Sequence, residues 1–154
     1  RGTSGQDSMD LSRKEDVGTE RTVEFIAPAT LAAVRAIDAV ISDLLIRAGA
    51  DEFNIYNVQL ATHEICTNIV RHAYAGRDNG SIAVVLRVSR TPHLTIQIEL
   101  RDQGRPFDPD SAPEPDLDRL QEGGYGLFLA RMLLDELHYH RDDQGNLWRL
   151  LKRL

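Results

Sequence analysis

The segment Glu64-Ile65-Cys66-Thr67-Asn68-Ile69-Val70-Arg71-His72-Ala73-Tyr74 constrains the fold more than any other part of the chain. Residues four apart on a helix lie above one another, so Glu64, Asn68 and His72 fall on one stripe, with Arg71 beside it. Val58, Ala61, Ile65 and Ile69 form a neighbouring apolar stripe that needs a second layer to cover it. The segment therefore predicts a helix packed along one side that presents acid, amide and base on an adjacent side. A solvated polar face and a ligand-holding face both fit these residues taken alone.

Two later segments bear on that choice. Leu100-Arg101-Asp102-Gln103-Gly104-Arg105-Pro106-Phe107-Asp108 follows an alternating, strand-like run from His93 to Leu100. By itself an Asp followed by Gly at a strand end is a common turn. Gly123-Gly124-Tyr125-Gly126-Leu127 opens an apolar run through Leu134. Glycines at a helix start let backbone amides approach an anion, where the helix dipole adds partial positive charge. An isolated Gly-x-Gly is equally compatible with a hinge.

In this order and at these separations the three segments resemble the N, G1 and G2 boxes of the ATPase superfamily that includes gyrase, a heat-shock chaperone, histidine kinases and MutL. Within it the chain is most similar to the bacterial anti-sigma-factor serine kinases of the stress-response and sporulation type. The resemblance runs from about Arg21 to Leu154. It is carried by His72-Ala73-Tyr74, by the Asp-Gln-Gly-x-x-Phe-Asp form of the second box (Asp102 to Asp108), and by a chain end soon after one terminal hairpin. Arg105 stands where the wider superfamily has a second glycine, a departure that the serine-kinase subgroup shares.

Composition narrows the alternatives. The chain has 154 residues, of which 42% are hydrophobic, enough for one domain with a real core. No apolar run approaches the ~20 residues needed to span a bilayer. No charged-then-apolar leader is visible, so a signal peptide is not expected. Cys66 is the single cysteine. An internal disulfide is therefore excluded, and a reducing cytoplasm fits. A net charge of −6 without a basic cluster argues against nucleic-acid binding and suits a basic protein partner.

Along the chain, residues 1–18 are polar and aperiodic and read as a disordered tail, with those before Met9 set aside from fold reasoning. Residues 19–154 read as the domain. Arg21 to Ile26 predicts a strand, and Thr30 caps a helix from Leu31 to about Ala48, stopped at Gly49. Asp51 caps a short turn into the helix that ends near Tyr74. Ser81 to Ser89 and Leu94 to Leu100 predict a hairpin around Thr91-Pro92-His93. Arg105 to Glu122 reads as a lid. Leu127 to Leu137 predicts a helix, and His138 to Arg141 with Leu147 to Leu151 a last hairpin. The expected fold is an α/β two-layer sandwich, with helices on one face of a mostly antiparallel sheet, as the resemblance also implies.

The resemblance assigns roles residue by residue. Asn68 is the Mg²⁺ ligand and Glu64 the general base. Asp102 accepts from the adenine amino group, and Gly104 leaves room for the base. Gly124 and Gly126 present amides to the phosphates, flanked by Tyr125 and Leu127, and Arg71 and His72 reach the phosphate region. ATP and Mg²⁺ are the implied cofactors. The implied partners are a sigma factor, a STAS-type antagonist whose serine or threonine is phosphorylated, and a second copy in a homodimer. Alternatives are a switch kinase that binds no sigma factor, an ATP-holding regulator without transferase activity, and the detached ATPase half of a sensor histidine kinase. His138 and His140 lack a third ligand for zinc. Cys66 reads as a buried structural thiol, and Tyr74 and Trp148 as packing residues.

Overall fold

The computed structural model describes residues 10–17, 20–75, 77, 79–108 and 125–154. In chain order its elements are β1 (Asp10–Val17), β2 (Glu20–Pro28), α1 (Leu31–Ala48), α2 (Glu52–Asn68), a π-helical turn (Ile69–Ala73), β3 (Ser81–Ser89), β4 (Thr95–Asp102), α3 (Gly126–Leu133), β5 (Glu136–Asp142) and β6 (Gly145–Arg153). The strands form one six-stranded sheet in the order β1-β2-β3-β4-β6-β5, antiparallel at every pairing.

Side chains alternate across a strand, and in β2, β3 and β4 buried residues alternate with more exposed ones. Val23, Phe25 and Ala27 of β2 face inward, as do Ile82, Val84, Leu86 and Val88 of β3, Ile96, Ile98 and Leu100 of β4, and Trp148 and Leu150 of β6. The inward face meets α1 through Val34, Ile37, Ile41, Leu44 and Leu45, and α2 through Val58, Ala61, Ile65 and Cys66. This is the expected two-layer α+β sandwich. Asp102 and Asn146 continue the inward rows of β4 and β6 at one end of the sheet, and they stand directly opposite each other in the register.

The helix signals work as their chemistry predicts. The Thr30 hydroxyl accepts from Ala33 N at 3.1 Å, and α1 ends at Gly49 in the left-handed region, φ 89°. Asp51 caps α2 directly rather than an intervening turn, accepting from Asn54 N at 2.7 Å. The Cys66 thiol is fully buried in the core, and that burial, with Asp38 nearby, pushes its pKa far up.

Three expectations change. The tail assigned to residues 1–18 contains a strand over 10–17: it is an edge strand held by backbone pairing with β2, which the polar, aperiodic sequence does not reveal. The last helix stops at Leu133 instead of Leu137, because residues 136 and 137 pair with Leu151 and Leu150 of β6. Asp135 anchors that switch: its N–H donates to Leu151 O at 2.9 Å and its carboxylate accepts from Arg153 N at 2.5 Å. The helix carrying Glu64 closes in a π-turn, with Tyr74 N bonded to Ile69 O at 3.1 Å. Of the expected lid, Arg105 to Glu122, residues 109–122 lie outside the described residues.

Candidate active site

A cavity of about 650 Å³ opens between the end of α2, the π-turn, the loop after β4 and the start of α3. Glu64, Asn68, Arg71, His72, Asp102, Gly126 and Leu127 all line it, so residues from three distant segments meet at one site. Tyr125 precedes α3 without forming a wall, and Gly124 lies outside the described residues. Gly104 is also not a wall. A Cβ there would collide with the backbone carbonyl of Ala73, so this glycine is required by the close approach of the loop to the helix end rather than by space for a base.

Asp102 is 1% exposed. Its Oδ1 accepts from Gly104 N and from Asn146 Nδ2, both at 2.8 Å. Its Oδ2 is buried, has no hydrogen-bond partner, and belongs to a residue of the cavity wall. Burial raises the pKa of this carboxyl, against the lowering effects of the Asn146 and Gly104 hydrogen bonds and of Arg141. A buried acceptor left open costs on the order of 1–3 kcal/mol, so the site is built for a donor supplied by a ligand. Thr67 Oγ1 is a second buried, unpartnered polar atom on the same wall. Together these groups fit a polar, donor-bearing heterocycle, and the remaining wall fits what such a base carries with it.

The aromatic floor is set by packing. Phe107, Tyr139 and Trp148 form a triangle with ring centroids 4.8–5.5 Å apart, and Phe107 and Trp148 reach the cavity. Trp148 thus does pack, as expected, and also faces the site. Tyr74 does more than pack: its hydroxyl donates to Ser81 O and accepts from Gln103 N, both at 2.8 Å, which ties the helix end to the β4 loop.

At the opposite wall, Glu64 and Asn68 stand one turn apart on α2. Gly126 begins α3 directly against Glu64, and a Cβ at Gly126 would strike the Glu64 carboxylate. Arg71 is exposed and has no partner among the described residues, which leaves its guanidinium free to meet an anion. Arg105, in contrast, spends its guanidinium on the π-turn: Nε and Nη2 donate to His72 O at 3.2 and 2.8 Å, while its N–H donates to Ala73 O at 2.8 Å.

Sequence reasoning passed over Asn146. Its Nδ2 donates to Asp102 Oδ1, Arg105 O (2.9 Å) and Gly104 O (3.3 Å), and its Oδ1 accepts from the Tyr139 hydroxyl and from Arg141 Nη1 (2.9 Å). The available signal was an Asn at an inward-facing position of a strand, where an apolar residue is the rule.

A cleft with a buried acceptor lacking a donor, beside an acid–amide pair on one helix and a helix started by glycine, has the chemistry a nucleotide needs. The chain belongs to the histidine kinase-like ATPase family: the family description "Histidine kinase-like ATPase domain" matches residues 27–152. It is 33% identical over 129 residues to the serine-protein kinase RsbW of Bacillus licheniformis, covering 78% of each chain. It is 30% identical over 140 residues to the RsbW of Staphylococcus aureus, covering 86% of this chain and 84% of that one. The solved RsbU and RsbW domains of Rv1364c from Mycobacterium tuberculosis share the fold, with a TM-score of 0.63 and 23% identity over 86% of this chain, which spans 32% of that longer structure. Among the described residues no helix is long and apolar enough to cross a membrane.

Proposed function

We propose that the protein is a cytoplasmic, ATP-dependent serine/threonine protein kinase and anti-sigma factor, which holds a sigma factor as a homodimer and phosphorylates a STAS-type antagonist, so that the kinase is freed from the antagonist to hold sigma again. The kinase relatives support the activity, and the acidic surface suits a basic partner. The observation that carries the nucleotide reading is Asp102 Oδ2, a buried acceptor without a protein donor at the cavity wall.

In this reading Asp102 Oδ2 accepts from the adenine amino group, and Gly124 and Gly126 amides with Arg71 meet the phosphates. Asn68 would hold Mg²⁺ through its carbonyl oxygen, and the ion would supply neutralisation of the charge that develops on the phosphate oxygens. Glu64 lies one helical turn from Asn68, the residue that would hold the metal. Its carboxylate takes the proton of the attacking serine hydroxyl. The helix side opposite Glu64 is buried through Thr62 and Cys66, which fixes the backbone that carries the base.

The test is single-turnover phosphorylation of the cognate STAS protein with labelled ATP and Mg²⁺, alongside sigma-factor pull-down. Positioned bases contribute ~10²–10⁴-fold to rate. Glu64→Gln is expected to lose transfer on that scale while keeping ATP affinity and sigma binding. Transfer within a few-fold of wild type would remove Glu64 from the chemistry. Absence of any transfer by the wild-type protein would overturn the kinase reading.

A further inference from the structure

Asn146 and Asp102 are register partners on neighbouring strands, both are 1% exposed, and both line the cavity. A carboxylate oxygen has two lone pairs, and an intact carboxylate can accept two parallel donors, one on each oxygen. At Asp102 this capacity is divided. Gly104 N and Asn146 Nδ2 both donate to Oδ1 at 2.8 Å and fill it, while Oδ2 stays open.

We propose that Asn146 is the base-selecting residue of the site: by filling Oδ1 it reduces Asp102 to a single acceptor, which matches adenine and rejects guanine. The inference rests on the nucleotide reading given above. The adenine edge offers an amino donor beside a ring acceptor, and one open oxygen satisfies the donor. Guanine held in the same pose turns its 6-oxo group toward Oδ2, acceptor against acceptor. Shifted along its edge, guanine presents two adjacent donors, the ring N–H and the 2-amino group, and needs both carboxylate oxygens. Asn146 withholds one of them. Its own orientation is enforced, because its Nδ2 has three oxygen acceptors while its Oδ1 receives the Tyr139 hydroxyl and Arg141 Nη1, so the amide does not turn over. Asn146 acts through Asp102 and is a positioning residue.

The experiment is titration of the full chain with fluorescent ATP and GTP analogues, comparing wild type with Asn146→Ala and Asn146→Ser. Serine keeps a small polar group in the network, but its hydroxyl stops one bond short of Oδ1, so it serves if the alanine variant does not fold. The wild type is expected to prefer ATP. Either variant is expected to narrow the ATP-over-GTP ratio by about tenfold, the scale of one hydrogen bond, with GTP affinity rising relative to ATP. A purely structural role lowers both affinities together, and an unchanged ratio in the folded variant overturns the proposal. A wild type that binds ATP without preference over GTP also overturns it, while leaving the nucleotide site in place. A wild type that binds neither nucleotide overturns the site and this inference together.

Discussion

Asp102 uses its two carboxylate oxygens differently: one holds the β4 loop through Gly104 and Asn146, while the other is buried without a donor on a residue that lines the cavity. The burial that would suit it to read a base makes its charge costly. Its pKa is raised above the ordinary 3.8, chiefly by desolvation, so the folded chain binds a proton there at a pH where the unfolded chain does not. The nucleotide-free protein therefore gains stability from this group as pH falls from neutral through the folded-state pKa toward 3.8, and loses it as pH rises. Asp102→Asn removes that titration. In denaturant titrations without nucleotide, the stability of the wild type relative to Asp102→Asn is expected to be lowest at neutral pH and to climb on acidification. A pH-independent difference would mean that the carboxylate is not destabilised by its burial. At this scale the sequence disclosed Glu64, Asn68 and Asp102, because each sits at a fixed spacing within one local motif. Asn146 stayed hidden, because its partners Asp102, Arg105, Tyr139 and Arg141 come from separate strands and a loop, and only the folded sheet brings them together.

The elements that carry these residues approach one another closely at glycines, and Gly126 against Glu64 is one such place. Alanine is the better helix former by about 1 kcal/mol, so Gly126→Ala should alter thermal stability little. Its methyl group, however, displaces the Glu64 carboxylate, and a misplacement of about 1 Å can cost roughly 10²-fold in rate. The expected pattern is a near-normal melting temperature with transfer to the STAS protein reduced on that scale; transfer at the wild-type rate would show that the Glu64 carboxylate has room to move without consequence. Helix and strand bounds were legible where the signals were local, as with Thr30, Gly49 and the alternation of β3. They were not legible where tertiary pairing decided them. The α3–β5 boundary is fixed by β6, β1 is held by backbone pairing with β2, and the π-turn ends where Arg105 and Gly104 close on it from the β4 loop.

For the molecule as a whole, ligand and fold are thermodynamically linked, since a ligand that binds only the folded state stabilises it by about 2.7 kcal/mol at a hundredfold excess over Kd. In a domain of this size 1 kcal/mol corresponds to roughly 2–4 °C in Tm. ATP with Mg²⁺ should therefore raise the melting temperature by about 5–10 °C at that excess, and Asp102→Ala should abolish the rise. A full rise in Asp102→Ala would place the base elsewhere. The two-layer architecture was legible in the sequence as a whole because alternating strands and one-sided helices leave few other ways to cover their apolar faces.

The direct opposition of Asp102 and Asn146 in the β4–β6 ladder carries one more consequence. A slip of one residue between these strands would turn one of the pair to the far side of the sheet, since side chains alternate. A mispaired molecule would then be blind to nucleotide even if otherwise compact. If Asp102 holds the base as proposed, ATP would act as an inspector of strand alignment, drawing the population toward correctly zipped chains, and a kinase with its sheet misthreaded could not draw on the fuel it spends.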